Sequence, residues 1–345
     1  MGRILTIEYM IVRSIAPLRV SFSGGGTDIT EYFSLYGGAV ISGTINWYAH
    51  THLHPIGNSF RVISIDFGTD ERIEHFGYDG KNDLVKATLR KMGFDKANEG
   101  AEFLLHTDVP PGTGLGASSA IVVSLIGAIA NWRGNVFDNY EIAELSYDVE
   151  RNELGIKGGW QDQFSATFGG FNYIEFHKEG KVIVNPLRIA KDTVKELESH
   201  LLLCYTGVKR LSANIISRQI EDLNRGRNTE FLHDQKRMAL EMKNALLKGN
   251  LDDFGIMLDE AWQSKRKITT GISNPAIDKL YDTARMKGAM GGKILGAGGG
   301  GYLLLYCDYR KRHDVMLQLQ SVGVEPKPFS FVGDGLYVWR TRNTK

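Results

Sequence analysis

The densest concentration of residues able to handle a phosphate is Pro110-Pro111-Gly112-Thr113-Gly114-Leu115-Gly116-Ala117-Ser118-Ser119-Ala120. Glycine at every second position permits main-chain conformations closed to other residues and lets amide N–H groups approach an anion. The apolar run that follows, to about residue 132, reads as a helix, so its positive N-terminal end would face the same ligand. No Gly-Lys-Ser/Thr ends the loop, so it is not a Walker A motif. Its third glycine comes one position early for a dinucleotide fingerprint. Strand, loop and helix together favour a nucleotide-phosphate site over a bare strand-to-helix turn, and Ser118 or Ser119 can place a hydroxyl on magnesium.

Phosphoryl transfer to a hydroxyl also needs a group that orients the acceptor and takes its proton. Asp162, in Gly158-Gly159-Trp160-Gln161-Asp162-Gln163-Phe164, has the chemistry for this. A plain helix-start carboxylate is the alternative. Glu150 shares a predicted helix face with Ala143, Ser146 and Tyr147. A carboxylate near a helix C-terminus opposes the macrodipole, which bound magnesium would offset. Taken alone, a solvated helix charge is the simpler reading.

The elements that must position these groups follow from pattern. Strands are predicted over 10–22, 39–45, 48–54, 60–66, 71–76, 102–107, 170–176 and 181–184. Helices are predicted over 29–36, 83–92, 117–132 and 139–154, the last capped by Asp138 with Glu141 as its capping-box partner. Beyond a change of character at 186–198 come a strand at 201–205 and helices over 212–223, 231–248, 251–267 and 275–287. A strand–loop region from 293 and strand-like segments at 328–331 and 335–340 close the chain. Mixed but segregated elements argue an α+β fold in two units, 10–188 and 189–345, with the boundary near 185–195.

At 345 residues the chain is long for one core and comfortable for two. A formal net charge of +1 excludes a nucleic-acid footprint or a polybasic membrane patch. The short clusters Lys265-Arg266-Lys267 and Arg310-Lys311-Arg312 read as solvated faces. Cys204 and Cys307 each follow an apolar run and read as buried strand residues, which favours a reducing cytoplasm. The longest apolar run, 120–130, falls far short of the ~20 residues a membrane helix needs. Residues 1–9 precede the first strand pattern without a secretory signature and read as an upstream extension or an added tail.

With these stretches in hand, the chain resembles the GHMP kinase superfamily. Three motifs carry the match in order: Ala16-Pro17-Leu18-Arg19-Val20-Ser21-Phe22-Ser23-Gly24-Gly25-Gly26-Thr27-Asp28, the loop at 110–120, and Leu295-Gly296-Ala297-Gly298-Gly299-Gly300-Gly301. The resemblance implies an N-terminal domain like ribosomal protein S5 domain 2 and a ferredoxin-like C-terminal domain. It implies ATP and Mg2+, with ATP held at Pro111, Gly112, Gly114, Leu115, Gly116, Ala117, Ser118 and Ser119. Asp162 would be the catalytic aspartate, with Arg19 beside it and the acceptor oxygen. Ser119 and Glu150 would bind the metal. Asp28 would bind sugar hydroxyls in a pocket shaped by Gly25, Gly26, Thr27 and Gly159, with Gly298 and Gly299 closing over it. The four glycines at 298–301 read equally well as a hinge into the following strand.

Galactokinases carry Gly-Glu-His-Thr-Asp where this chain has Gly24-Gly25-Gly26-Thr27-Asp28. Losing the glutamate and histidine removes polar contacts and opens space, which argues against galactose. The form here is nearest the heptose and fucose kinase branch and implies transfer to an anomeric oxygen, with heptose 7-phosphate as the leading substrate. Such a substrate needs a cationic clamp, for which Lys157, Lys209 and Arg210 are candidates. Other readings remain: a fucokinase-like or other sugar 1-kinase, an isoprenoid or amino-acid kinase of the superfamily, or a non-catalytic regulator that binds sugar and ATP. The expected partner is a small sugar or sugar phosphate, with no nucleic acid or membrane; a homodimer is left open.

Overall fold

The computed structural model describes residues 10–96, 98–207 and 212–342. The chain opens with a long strand β1 (Met10–Ser23), helix α1 (Thr30–Tyr36) and the 18-residue strand β2 (Gly38–Pro55). Next come β3 (Phe60–Ser64), β4 (Thr69–Ile73), α2 (Asp83–Lys91), β5 (Ala101–Thr107) and, after the glycine loop, α3 (Ala117–Arg133). Helix α4 (Asn139–Tyr147), a π-helical turn (Asp148–Glu153), α5 (Gln161–Phe168), β6 (Phe171–Phe176) and β7 (Val182–Pro186) follow. The remainder comprises α6 (Lys191–His200), β8 (Leu201–Tyr205), α7 (Ser212–Asn224), α8 (Thr229–Lys248), α9 (Leu251–Lys265), α10 (Pro275–Met286), β9 (Ala289–Ile294), β10 (Tyr302–Cys307), α11 (Tyr309–Ser321), β11 (Pro326–Lys327) and β12 (Tyr337–Arg342).

The strands form one sheet in the order β12-β1-β2-β5-β3-β4, with β6 and β7 continuing from the other half of β2, and a four-stranded sheet β11-β8-β10-β9. The larger sheet is antiparallel except where β3 runs parallel to β5. The α+β class expected from sequence holds. The capping box on α4 is present in full: Asp138 accepts from Glu141 N at 2.9 Å and Glu141 accepts from Asp138 N at 2.8 Å. Cys204 and Cys307 are buried in β8 and β10, and neither forms a disulfide.

Several local expectations change. The strands expected at 39–45 and 48–54 are one strand, β2. It kinks where Pro17 faces Tyr48 and Leu18 faces Ile45, leaving Asn46 and Trp47 as a bulge. Proline cannot donate to a ladder, and a bulge absorbs the irregularity. Helices α6 and α11 lie where no helix was expected, obscured by charge-rich sequence; α11 packs on β9, β10 and β11, and α6 lies beside α11 with His200 stacked on Tyr306. The helix expected over 139–154 ends at Tyr147 and widens into the π turn. The last strand leaves the second unit altogether: β12 pairs with β1, from Met10 opposite Arg342 to Ile15 opposite Tyr337. The segment before it fills the β2 bulge, where Asn46 N donates to Ser330 O and Val332 N to Thr44 O.

The main core is continuous between the units. Phe22 at the end of β1 meets Phe254 of α9 edge-on at 5.2 Å and stacks on Phe171 at 6.1 Å. Helix α3 is buried almost all round beneath β1, β2 and β12, which explains its uniformly apolar sequence. Lys293 of β9 reaches across to donate to Phe22 O at 2.8 Å, beside the register shift between Ser21 and Ser23. Burial, with Lys265 and Arg19 nearby, pushes the Lys293 amine well below the usual lysine range.

The turn after β1 is clamped by Thr27. Its hydroxyl contacts Gly24 O at 2.8 Å and Ala39 O at 2.9 Å and accepts from Ala39 N at 3.0 Å. All of this is buried, so Thr27→Val would strand backbone groups without water. The expected loss is about 1–3 kcal/mol of unfolding free energy, read from a denaturant midpoint, and an unchanged midpoint contradicts the clamp.

Candidate active site

The loop between β5 and α3 has the backbone its glycines foretell: φ is 77° at Gly112, 86° at Gly114 and 78° at Gly116, all in the left-handed region. The second unit leaves no room for side chains there. A Cβ on Gly114 would stand 2.6 Å from Leu295 O, and one on Gly301 would stand 2.2 Å from Thr113 O. Tyr302 N also donates to Thr113 O at 3.1 Å, so the third glycine motif is packed against the phosphate loop.

Beneath the loop lies Arg19, only 3 % exposed. Its Nη1 donates to Gly114 O at 2.7 Å, and its Nε and Nη2 lie 2.8 and 2.6 Å from Asp162 Oδ1. Its backbone N–H donates to Leu115 O at 3.1 Å. One residue thereby joins β1, the loop and α5. Asp162 sits in the first turn of α5, where the helix dipole favours a carboxylate. A Cβ on Gly116 would lie 3.4 Å from the Asp162 carboxyl carbon.

Asp28 is buried opposite. Its Oδ1 accepts from Gly26 N at 2.9 Å and its Oδ2 from Gln161 N and Nε2, both at 3.1 Å. Burial raises its pKa above the ordinary aspartate value, the Gly26 amide counteracts that, and the charge of Asp162 raises it further. Gln161 thus hangs Asp28 beside Asp162, so two carboxylates face one cleft.

Glu150 lies in the π turn and is only 1 % exposed, so it is not a solvated helix charge. Ser118 Oγ donates to its Oε1 at 2.9 Å and Ser119 Oγ to its Oε2 at 2.6 Å, with Gln163 Nε2 2.5 Å from Oε2. The Arg151 guanidinium stands off at 3.7 Å. A buried carboxylate with two hydroxyls at the start of α3 is an all-oxygen donor set. That suits Mg2+, which binds proteins through one or two carboxylates while keeping waters and phosphate oxygens.

These groups line a cleft of about 290 Å³ between the two units. Of the residues expected at the site, the cleft gathers Arg19, Gly25, Gly26, Asp28, Gly112, Gly114, Gly116, Ala117, Ser118, Ser119, Glu150, Lys157, Gly159 and Asp162. Thr27 lies behind it as the turn clamp. Leu115 points into the core and offers its carbonyl to Arg19. Gly298 and Gly299 do not line it; both turn toward Ile272, to whose carbonyl Gly299 N donates at 2.6 Å. Gly296 and Ala297 face the cleft instead. Lys209 and Arg210 lie outside the described residues.

Pattern reading missed several contributors. Gln161 and Gln163 flank Asp162 in the same heptapeptide, and their polarity on a helix with a buried face was the available signal. Lys265, expected on a solvated face, is buried; its Nζ donates to Gly296 O and lies 3.5 Å from Ile294 O. Gln219 of α7 lies against Gly26. A second hollow of about 440 Å³ shares Gly112, Ala117 and Ser118 with the cleft and is flanked by Pro111, Phe67, Asn82, Leu84, Ile121 and Leu154. It offers a flat base an apolar slot next to the phosphate loop.

Residues 82–170 match the family model for the GHMP kinases N terminal domain, and residues 242–325 match that for GHMP kinases C terminal. The chain is 37% identical over 336 residues to D-glycero-alpha-D-manno-heptose 7-phosphate kinase of Campylobacter jejuni, covering 95% of this chain and 99% of that protein. It is 28% identical to an L-fucokinase/L-fucose-1-P guanylyltransferase of Bacteroides fragilis, covering 86% of this chain and 34% of that longer protein. Among solved structures, a D-glycero-D-manno-heptose 1-phosphate kinase from Bacteroides thetaiotaomicron superposes with a TM-score of 0.82 at 30% identity, covering 96% of this chain and 100% of that one. Galactokinase of Lactococcus lactis shares the fold, with a TM-score of 0.75 at 19% identity over 95% of both chains. No helix among the described residues is long and apolar enough to cross a membrane.

Gly159 carries a sharp test. A Cβ there would stand 2.0 Å from Asp28 Oδ2, so Gly159→Ala must displace that carboxylate. Acceptor turnover should fall roughly 100-fold in kcat/KM, because a shift of about 1 Å is enough to spoil positioning. ATP binding should be retained; an Ala variant with unaltered acceptor kinetics contradicts the placement of Asp28.

Proposed function

Because the chain belongs to the GHMP kinase family, an ATP-dependent phosphotransferase family, we propose that it phosphorylates the anomeric hydroxyl of D-glycero-D-manno-heptose 7-phosphate, giving the 1,7-bisphosphate. The observation that carries this reading is the Arg19–Asp162 pair set directly under a glycine phosphate loop and facing the buried Asp28. The full-length likeness to a heptose 7-phosphate kinase supports the choice of sugar. Where galactokinases carry larger polar residues, the expected opening is confined to Gly25, whose Cβ would meet nothing nearer than Gln161 Nε2 at 3.6 Å; the place beside Gly26 is filled by Gln219 and Leu232.

Each residue then has a task. Loop amides and the start of α3 hold the nucleotide phosphates, while the neighbouring apolar hollow takes the base. Asp28 accepts hydrogen bonds from sugar hydroxyls and fixes the ring. Asp162 orients the acceptor hydroxyl and receives its proton. Arg19 holds Asp162 in place through two contacts to Oδ1, and its charge favours the alkoxide character that develops on the acceptor oxygen. Glu150 and Ser119 would hold Mg2+, which when bound neutralises charge on the phosphate oxygens. Lys157, at the edge of the cleft, would hold the phosphate that the substrate already carries. The bound acceptor is a polar metabolite, and a chain with two buried thiols and no disulfide suits a reducing cytoplasm.

The reading is tested by ADP release with Mg-ATP against a panel of free sugars and sugar phosphates, with the phosphorylated position assigned by phosphorus NMR. Heptose 7-phosphate should be the preferred acceptor, phosphorylated at C1. Preference for fucose or another unphosphorylated sugar would replace the substrate and keep the kinase. Asp162→Asn should lose about 10²–10⁴-fold in kcat with ATP affinity retained; full activity in that variant overturns the assigned base.

Asp28 supplies the pH dependence. Its pKa is raised by burial and by Asp162, so the native protein binds this proton more tightly than the unfolded chain does. The ionised carboxylate therefore costs stability at neutral pH, a cost relieved as pH falls through the raised value. Sugar binding runs the opposite way, because protonation removes an acceptor. The sugar KM should climb on acidification, beginning above the ordinary aspartate pKa of about 3.9, while the ATP KM changes less. A sugar KM that stays flat to about pH 4 contradicts the role given to Asp28.

A further inference from the structure

The face of the larger sheet turned away from α3 carries a cluster that the kinase chemistry does not use. His50 of β2 stands directly opposite His106 of β5 in the antiparallel register, and their rings lie 4.2 Å apart. Asp108, two residues beyond His106, brings its Oδ1 to 3.3 Å from His50 Nε2. One ligand atom from each of the three lies within 4.8 Å of the other two. Ligands at about 2.0–2.1 Å in a tetrahedral site are separated by roughly 3.3 Å, so modest side-chain rotation closes the set around one ion.

A second observation points the same way. His50 Nε2 is shielded from solvent, yet it makes no well-directed hydrogen bond even to the nearby Asp108 oxygen. Their 3.3 Å separation equals the spacing of neighbouring ligands on one tetrahedral ion, which would satisfy the ring nitrogen better than this poorly directed contact does. Asp108 is itself held in place: its Oδ2 accepts from Tyr48 N at 2.8 Å, and its own N–H donates to Tyr48 O at 3.0 Å. A carboxylate oriented by a backbone amide is the outer support that metal ligands commonly have.

We propose that His50, His106 and Asp108 form a structural site for a divalent transition metal of the Zn2+ class, separate from the oxygen-lined Glu150–Ser119 pair. Two imidazoles and one carboxylate select Zn2+, Co2+ or Ni2+ over the harder Mg2+. The partly exposed Asp108 leaves the fourth position to water. The ion would staple β2 to β5 immediately before the Pro110 turn and so steady the base of the phosphate loop.

The test uses the full chain, stripped with chelator and titrated with Zn2+ in excess Mg2+, with Co2+ as a spectroscopic probe. The expected result is one tightly bound Zn2+ per chain, a rise in Tm, and Co2+ visible bands of tetrahedral intensity. His106→Gln and Asp108→Asn should each weaken Zn2+ binding roughly 10-fold or more. Asp108→Asn keeps an oxygen for Tyr48 N, and circular dichroism of both variants without metal checks their folding. His52→Gln, altering the next imidazole on the same face of β2, should leave binding intact. Absence of stoichiometric Zn2+ binding, equal binding in the His106 and Asp108 variants, or loss confined to the His52 variant overturns the site.

Discussion

Burying a guanidinium commits a protein to meeting its hydrogen bonds and balancing its charge, because removing one partner of such a pair leaves an uncompensated charge costing about 3–5 kcal/mol. Arg19 meets that demand with Gly114 O of the glycine loop and Asp162 of α5. The loop cannot drift from β1 without breaking the first contact, and α5 cannot rotate without breaking the second. The distance from the Asp162 carboxylate to the glycine loop is thereby set by one side chain. Asp28 extends the arrangement, because its carboxylate is held by the backbone and side chain of Gln161, the residue before Asp162.

The second unit completes this assembly. Its glycine run lies so close to the phosphate loop that any Cβ at Gly114 or Gly301 would collide with backbone, and Lys265 ties down Gly296 and Ile294. Lys293 crosses the junction to Phe22 O, while Phe22 packs its ring between Phe171 and Phe254. The return of β12 to pair with β1 makes the larger sheet depend on the chain beyond the second sheet. The cleft is a seam in one continuous core, which suits a site whose halves must hold position to within a fraction of an ångström.

The local structure was legible wherever it depended on short-range backbone patterns. Alternating glycines permit a left-handed turn sequence closed to other residues, and all three have positive φ. The capping box on α4 and most helices of the second unit likewise follow from short-range patterns. Elements whose identity depends on distant packing were harder to read. The β2 kink needs Pro17 on a neighbouring strand and the 330–332 segment to fill it. Helices α6 and α11 each bury only two residues, Leu197 and His200 in the first and Val315 and Leu319 in the second, so charge dominates their sequences.

The sequence by itself determined the left-handed glycine loop, the α+β class and, through three ordered motifs, the family, and it singled out Arg19, Asp28, Glu150 and Asp162 as candidates, because each depends on residue type and short spacing. Only the tertiary structure decided which of those residues share a cleft. It placed Glu150 on Ser118 and Ser119, buried Lys265 out of an apparently solvated basic run, turned Gly298 and Gly299 away toward Ile272, and set His50 against His106 and Asp108. The reason is physical: hydrogen bonding and burial at these positions join residues tens to hundreds of places apart. Neither the partner nor the degree of desolvation is encoded in any local window of the chain.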